Sequence, residues 1–183
     1  MKRAMQMVIV LGLTGLISGT SLVLVYRYAT PLIESNQKRE LKEAIFKIVP
    51  NAADYEAVTK EGEDFFKVYD KRGSLLGYAF IAEGSGYQGK IKMLAGIKRD
   101  LSTLYGVEIL ESVETPGLGG EIASDKFKSQ FGNLICIPAI ECVKRERKKK
   151  NEIQAITGAT ISSQSMTNIL NERIKELSEI LGR

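Results

Sequence analysis

Ile156-Thr157-Gly158-Ala159-Thr160-Ile161 is the stretch around which this chain is organised. Beyond it Met166, Ile169, Leu170, Ile174, Leu177, Ile180 and Leu181 recur at helical spacing and predict an amphipathic C-terminal helix. The Gly-Ala step then falls at the mouth of that helix. Backbone N–H groups lack intrahelical acceptors there and the helix dipole is positive, so an anion is favoured. Two readings of the threonines stay open. Thr157 is an N-cap and Thr160 an ordinary first-turn residue, or Thr160 carries a phosphate ester. The dipole contributes only about 0.3–1 kcal/mol to such a charge. That orients a phosphate but does not retain a cofactor, so a covalent bond would do what affinity does not.

The rest of the chain offers little competing chemistry. Its 183 residues suit one compact domain plus an appendage. There is no histidine and no tryptophan, which excludes histidine acid–base chemistry, histidine metal ligation and every Ser-His-Asp triad. Cys136 and Cys142 are too few for a zinc or iron–sulfur site, so no metal site and no catalytic residue is predicted. Outside the cytoplasm they would suit a disulfide; inside it, two small buried apolar side chains. The formal charge of +4 does not argue for nucleic acid.

Residues Ala4 to Tyr26 carry no charge. At about 1.5 Å per residue the run spans a hydrocarbon core of roughly 30 Å. Its apolar length exceeds that of a signal peptide, and Val25-Tyr26-Arg27-Tyr28 lacks a small-x-small cleavage site. An uncleaved anchor over residues 1–29 is expected. Gly15 and Gly19 have a spacing that suits close contact with other membrane helices. Lys2 and Arg3 precede the run while Arg27, Lys38, Arg39 and Lys42 follow it, so charge does not set the orientation.

Residues 30–183 read as one α+β domain. A helix is expected over Thr30–Val49, stopped by Pro50. Phe65–Tyr69 and Leu75–Ile81 flank a turn and predict a hairpin. Ile91–Ile97 alternates as a strand, and Leu104–Val113 gives another. A loop over Glu114–Gly120 precedes a short helix at Ser124–Phe131 and a strand near Leu134–Pro138.

Three further segments draw notice. Gly84-Ser85-Gly86-Tyr87-Gln88-Gly89 has the spacing of a dinucleotide fingerprint, but that fingerprint must open a helix and here a strand pattern follows. The expectation is a glycine-rich turn. Lys144-Arg145-Glu146-Arg147-Lys148-Lys149-Lys150 reads as a solvated hairpin tip or loop, or as a contact for anionic lipid or an acidic protein partner. Glu114-Thr115-Pro116-Gly117-Leu118-Gly119-Gly120 is either a plain turn or a loop whose backbone approaches a flat ligand closely.

Taken together, the N-terminal apolar helix, the Gly-Tyr-Gln-Gly turn, the Glu-Thr-Pro-Gly-Leu-Gly loop and Thr-Gly-Ala-Thr before the last helix make the chain resemble a known family. It is the FMN-binding G subunit of the Rnf electron-transport complex and, more distantly, the C subunit of the sodium-pumping NADH:quinone reductase. The resemblance implies an FMN-binding domain with a mixed or antiparallel sheet, flanking helices and one transmembrane helix. In that family a flavin transferase moves FMN from FAD onto the last threonine of an Asp-x-x-Ser/Thr-Gly-Ala-Thr motif. The matching residue is Thr160, with Thr157, Gly158 and Ala159 before it. The resemblance implies that Glu114, Thr115, Gly117, Leu118 and Gly119 lie beside the flavin and that Ser162 and Ser163 bond its phosphate. Gln154 stands where the motif has aspartate, a position the transferase is expected to read. Ser112 stands where histidine is common.

The implied role is an electron relay within a ferredoxin:NAD+ oxidoreductase that moves ions across the cell membrane, with the domain on the extracytoplasmic side. The subunit would not bind NAD or act catalytically alone. Implied partners are the other membrane and peripheral subunits, the flavin transferase and the bilayer, with no nucleic acid. The alternatives are a C-type quinone-reductase subunit or a membrane-anchored interaction module without flavin.

Overall fold

A computed structural model describes residues 2–60 and 62–182. Its first element, α1 (Lys2–Ile48), contains the apolar run and is long and apolar enough to cross a membrane. Pro31 lies inside it, so one backbone donor is missing where the sequence reading began a second helix. The chain divides into two compact units, one ending at Glu40 and the other beginning at Leu41.

The second unit is built on an antiparallel sheet of β1 (Asp54–Lys60), β2 (Glu63–Tyr69), β3 (Leu75–Ser85), β4 (Lys90–Lys98) and β5 (Leu104–Ser112), in sequential order. The expected hairpin is β2–β3, with Phe65 opposite Phe80 and Phe66 opposite Ala79. Strand alternation sorts the side chains onto two faces. Phe65, Phe80, Ala82, Ile91, Met93, Ala95 and Ile97 face one core. Phe66, Val68, Ala79 and Leu94 face another, which the end of α1 covers with Ala44, Ile45 and Ile48. Register shifts at Lys92/Met93 and Gly96/Ile97 let β5 change phase, so Leu104, Val107 and Ile109 reach the first core while Tyr105 and Leu110 reach the second.

After β5 the chain forms a 3-10 turn (Gly119–Ala123), the short α2 (Asp125–Lys128) and a second 3-10 turn (Ser129–Phe131). Ser124 caps α2 by accepting from Phe127 N–H at 3.3 Å. The long α3 (Thr160–Leu181) lays Met166, Ile169, Leu170, Ile174, Leu177 and Ile180 onto the first core and packs on β3. This is the apolar face expected from spacing.

One expectation needs correction. The strand near Leu134–Pro138 is an isolated bridge between Thr103 and Ile135, flanked by Leu104 N–H to Leu134 O and Cys136 N–H to Ser102 O. Pro138 has no N–H to extend it. Of the two forms expected for the basic run, hairpin tip or solvated loop, it is the loop. It links β6 (Glu141–Val143) to β7 (Glu152–Gln154), which pair in parallel. Both cysteines are free thiols, Cys136 buried with a pKa pushed up to about 11 by burial.

Candidate functional site

The mouth of α3 opens on a cleft of about 460 Å³. Three segments line it: Tyr87 and Gln88 from the β3–β4 turn, Glu114, Thr115, Leu118 and Gly119 from the loop after β5, and Gly158 to Ser162. The size lies within the roughly 300–1,000 Å³ range of small-molecule sites. Strand β4 begins at Lys90, directly after the glycine turn, so the helix a dinucleotide fingerprint needs is not there.

One buried carboxylate ties the three walls together. Glu114 is 6% exposed. One of its oxygens accepts from Tyr87 N–H at 2.6 Å and Gln88 N–H at 3.1 Å. The other accepts from Ser162 Oγ at 2.8 Å. A Cβ at Gly86 would collide with the first oxygen, and one at Gly119 with the second. Those two glycines therefore let the backbone close around the carboxylate. Glu114 N–H in turn donates to Ser112 Oγ at 3.3 Å. The loop folds back on Thr115, whose carbonyl accepts from Leu118 N–H and Gly120 N–H.

The motif before α3 is held from behind. Gln130 accepts from Gln154 N–H at 2.7 Å and donates to Gln154 O at 3.2 Å, leaving the Gln154 residue exposed. The expected capping by Thr157 does not occur. Gly158 turns the chain at φ +84°, so the N-cap position falls to Ala159, which has no side-chain cap bond. Thr157 is exposed and, with Gly117, lines a neighbouring cavity. Ser163 takes over part of the cap's work from inside: it is fully buried, its hydroxyl accepting from Ile156 N–H and donating to Ala159 O. It is thus committed to the turn, in contrast to the expected phosphate contact.

The N–H groups of Thr160, Ile161 and Ser162 occupy the first helical turn and have no intrahelical acceptor. The Thr160 hydroxyl makes no hydrogen bond among the described residues. Around it stand exposed apolar side chains: Tyr87 (65%), Leu118 (50%) and Ile161 (58%). A flat apolar ring bearing a phosphate matches this lining, with open N–H groups at one end and apolar surface at the other. No group of His, Cys, Asp and Glu suited to a metal occurs among the described residues.

Sequence reasoning missed Tyr87 and Gln88 as site residues because it treated their turn as punctuation. It also missed that Glu114 works as a buried acceptor.

Residues 86–175 match the family described as the FMN-binding domain. The chain is 31% identical to the G subunit of the ion-translocating oxidoreductase complex of Methanosarcina acetivorans, over 97% of this chain and 96% of that one. It is 30% identical to the G subunit of the proton-translocating ferredoxin:NAD(+) oxidoreductase complex of Clostridium ljungdahlii, over 94% and 90%. The crystal structure of the C subunit of the Na(+)-translocating NADH-quinone reductase from Parabacteroides distasonis shares the fold, with a TM-score of 0.55 at 21% identity over 66% of this chain and 73% of that one. Fold and site thus define an FMN-binding domain behind an apolar N-terminal helix, in a membrane protein. The chain belongs to the family of G subunits of ion-translocating oxidoreductase complexes.

Proposed function

We propose that this chain is the electron-carrying G subunit of a membrane ion-translocating oxidoreductase of the ferredoxin:NAD+ type, with FMN joined through a phosphoester to Thr160 Oγ1. The observation that carries this reading is the convergence, on one cleft, of Thr160, the open N–H groups of the first turn of α3 and the loop from Glu114 to Gly119.

Bound FMN would supply the redox chemistry. The residues supply position and electrostatics. Thr160 Oγ1 is the tether. The N–H groups of Thr160, Ile161 and Ser162 with the α3 dipole offset the phosphate charge. Tyr87, Leu118 and Ile161 would offer apolar surface to the ring. Glu114 holds the walls in register, and Ser162 takes part through that carboxylate. Thr115, Gly117, Gly158 and Ala159 shape the backbone. In maturation Thr160 Oγ1 would be the acceptor of FMN from FAD on a flavin transferase, with AMP as the leaving group and the hydroxyl proton released.

In this reading residues 1–29 anchor the subunit in the cell membrane beside the other subunits, and the domain lies on the extracytoplasmic side. A second reading, a membrane-anchored module that never carries flavin, is favoured by one observation: Gln154 replaces the motif's aspartate. Denaturing electrophoresis of the chain made with its own transferase separates them. A flavin-fluorescent band supports the carrier; a dark band supports the module.

A further inference from the structure

The basic crossover between β6 and β7 is a preformed surface. Glu152 is fully buried and grips the loop from inside. Its carboxylate accepts from both Arg145 terminal nitrogens at 2.9 and 2.7 Å, and from the N–H groups of Lys148 at 2.7 Å and Lys149 at 3.2 Å. Lys150 O accepts from Ile135 N–H, and Asn151 Nδ2 donates to Ala139 O. With the backbone fixed at so many points, the other side chains are held outward.

Lys144, Arg147, Lys148 and Lys150 are exposed, and no carboxylate pairs with them among the described residues. Lys126 on α2 adds another such cation. Arg147 reaches Gln130 O at 3.3 Å. Two cavities share Gln130 and Arg147. One, of about 250 Å³, is walled by Lys148, Lys149 and Lys150. The other, of about 590 Å³, runs past Lys126 to Gly117 and Thr157. Glu121 also lines this cavity, so the unpaired cations end at Lys126 and Arg147 and the groove itself continues to the loop beside Thr157.

We propose that this surface docks an acidic face of the redox protein that exchanges electrons with the flavin inside the complex. The inference rests on the function proposed above. Clefts lined by one sign of charge focus the field and raise association rates by about 10–1,000-fold, an effect that salt removes. The surface is concave, with the cations distributed around two cavities. Carboxylate side chains of a protein can enter such cavities, whereas a bilayer plane meets only their rims. The approach to Gly117 and Thr157 brings the partner against the loop that flanks the tether.

The test uses complex prepared without this chain, in neutral detergent, to which purified full-length chain is added. Flavin reduction rate and retention of the partner subunits are followed against ionic strength. Arg147→Glu with Lys150→Glu is compared with Lys71→Glu and Arg72→Glu, an equal charge change in the β2–β3 turn. The first pair is expected to slow flavin reduction and weaken partner retention about tenfold or more at low salt. The difference should vanish near 1 M salt, where the Debye length is about 3 Å. Equal behaviour of the two pairs overturns the proposal. So does a difference that arises only when phosphatidylglycerol is added, which would assign the surface to lipid. Gel fluorescence is read on each sample. A dark wild-type band refutes the flavin reading, while partner retention still decides the docking.

Discussion

Replacing Glu114 is the sharpest probe of how the cleft is held. Its carboxylate receives Tyr87 N–H, Gln88 N–H and Ser162 Oγ, and those donors come from segments far apart in the chain. Hydrogen bonds to a charged group are each worth about 1.5–3 kcal/mol. The Tyr87 and Gln88 residues are exposed, so water can replace part of their loss; Ser162, at 3% exposure, has no such recourse. Glu114→Ala should therefore cost about 3–5 kcal/mol, a large share of a domain's usual 5–15 kcal/mol. Glu114→Gln is different. Its oxygen still serves the two N–H groups, and its Nε2 can donate to Ser162 Oγ, so the cost should be about 1 kcal/mol from lost charge assistance. Denaturant unfolding of the full chain in neutral detergent measures both, and flavin content per chain should fall in the same order. The reasoning is refuted if alanine costs less than about 1 kcal/mol or if glutamine costs as much as alanine.

Other predictions follow from the same geometry. Gly119→Ala drives a Cβ into the Glu114 carboxylate and to 2.7 Å from Ser162 Oγ, so flavin loading should fall while far-ultraviolet circular dichroism stays unchanged. Gly158→Ala places a side chain at φ +84°, which costs about 1–2 kcal/mol and should lower the melting temperature. Glu152 titrates well below its ordinary 4.5, at about 2, chiefly because Arg145 hydrogen-bonds it and then because Lys148 N–H does. A depressed carboxylate stabilises the fold above its unfolded pKa. Its contribution is present above about pH 4.5 and is lost as pH falls toward 2. Melting curves across that window should show wild type converging on Glu152→Gln from above.

What the sequence reveals depends on how local the physics is. The face of α3 is legible because six of its apolar residues reach one core at helical spacing. Strand β1 is not, because Tyr55 and Val58 are its only large apolar side chains and it lies at a sheet edge, where charged residues are favoured. Strands β6 and β7 have three residues each and are masked by the basic run between them. The position of Thr160 at the mouth of α3 is legible from the spacing of that helix. The role of Glu114 is not, because its partners are fixed by tertiary closure: it meets donors 27 residues before it and 48 after it. The one available signal was the pair of small residues at Gly86 and Gly119, which leave room for that carboxylate.

Intact mass of the full chain made beside its transferase, in wild type and Thr160→Ala, tests the central claim most directly. The account predicts that wild type exceeds its sequence mass by one FMN less one water and that the variant carries no addition. An unmodified wild type, or an equal addition on Thr160→Ala, would contradict it.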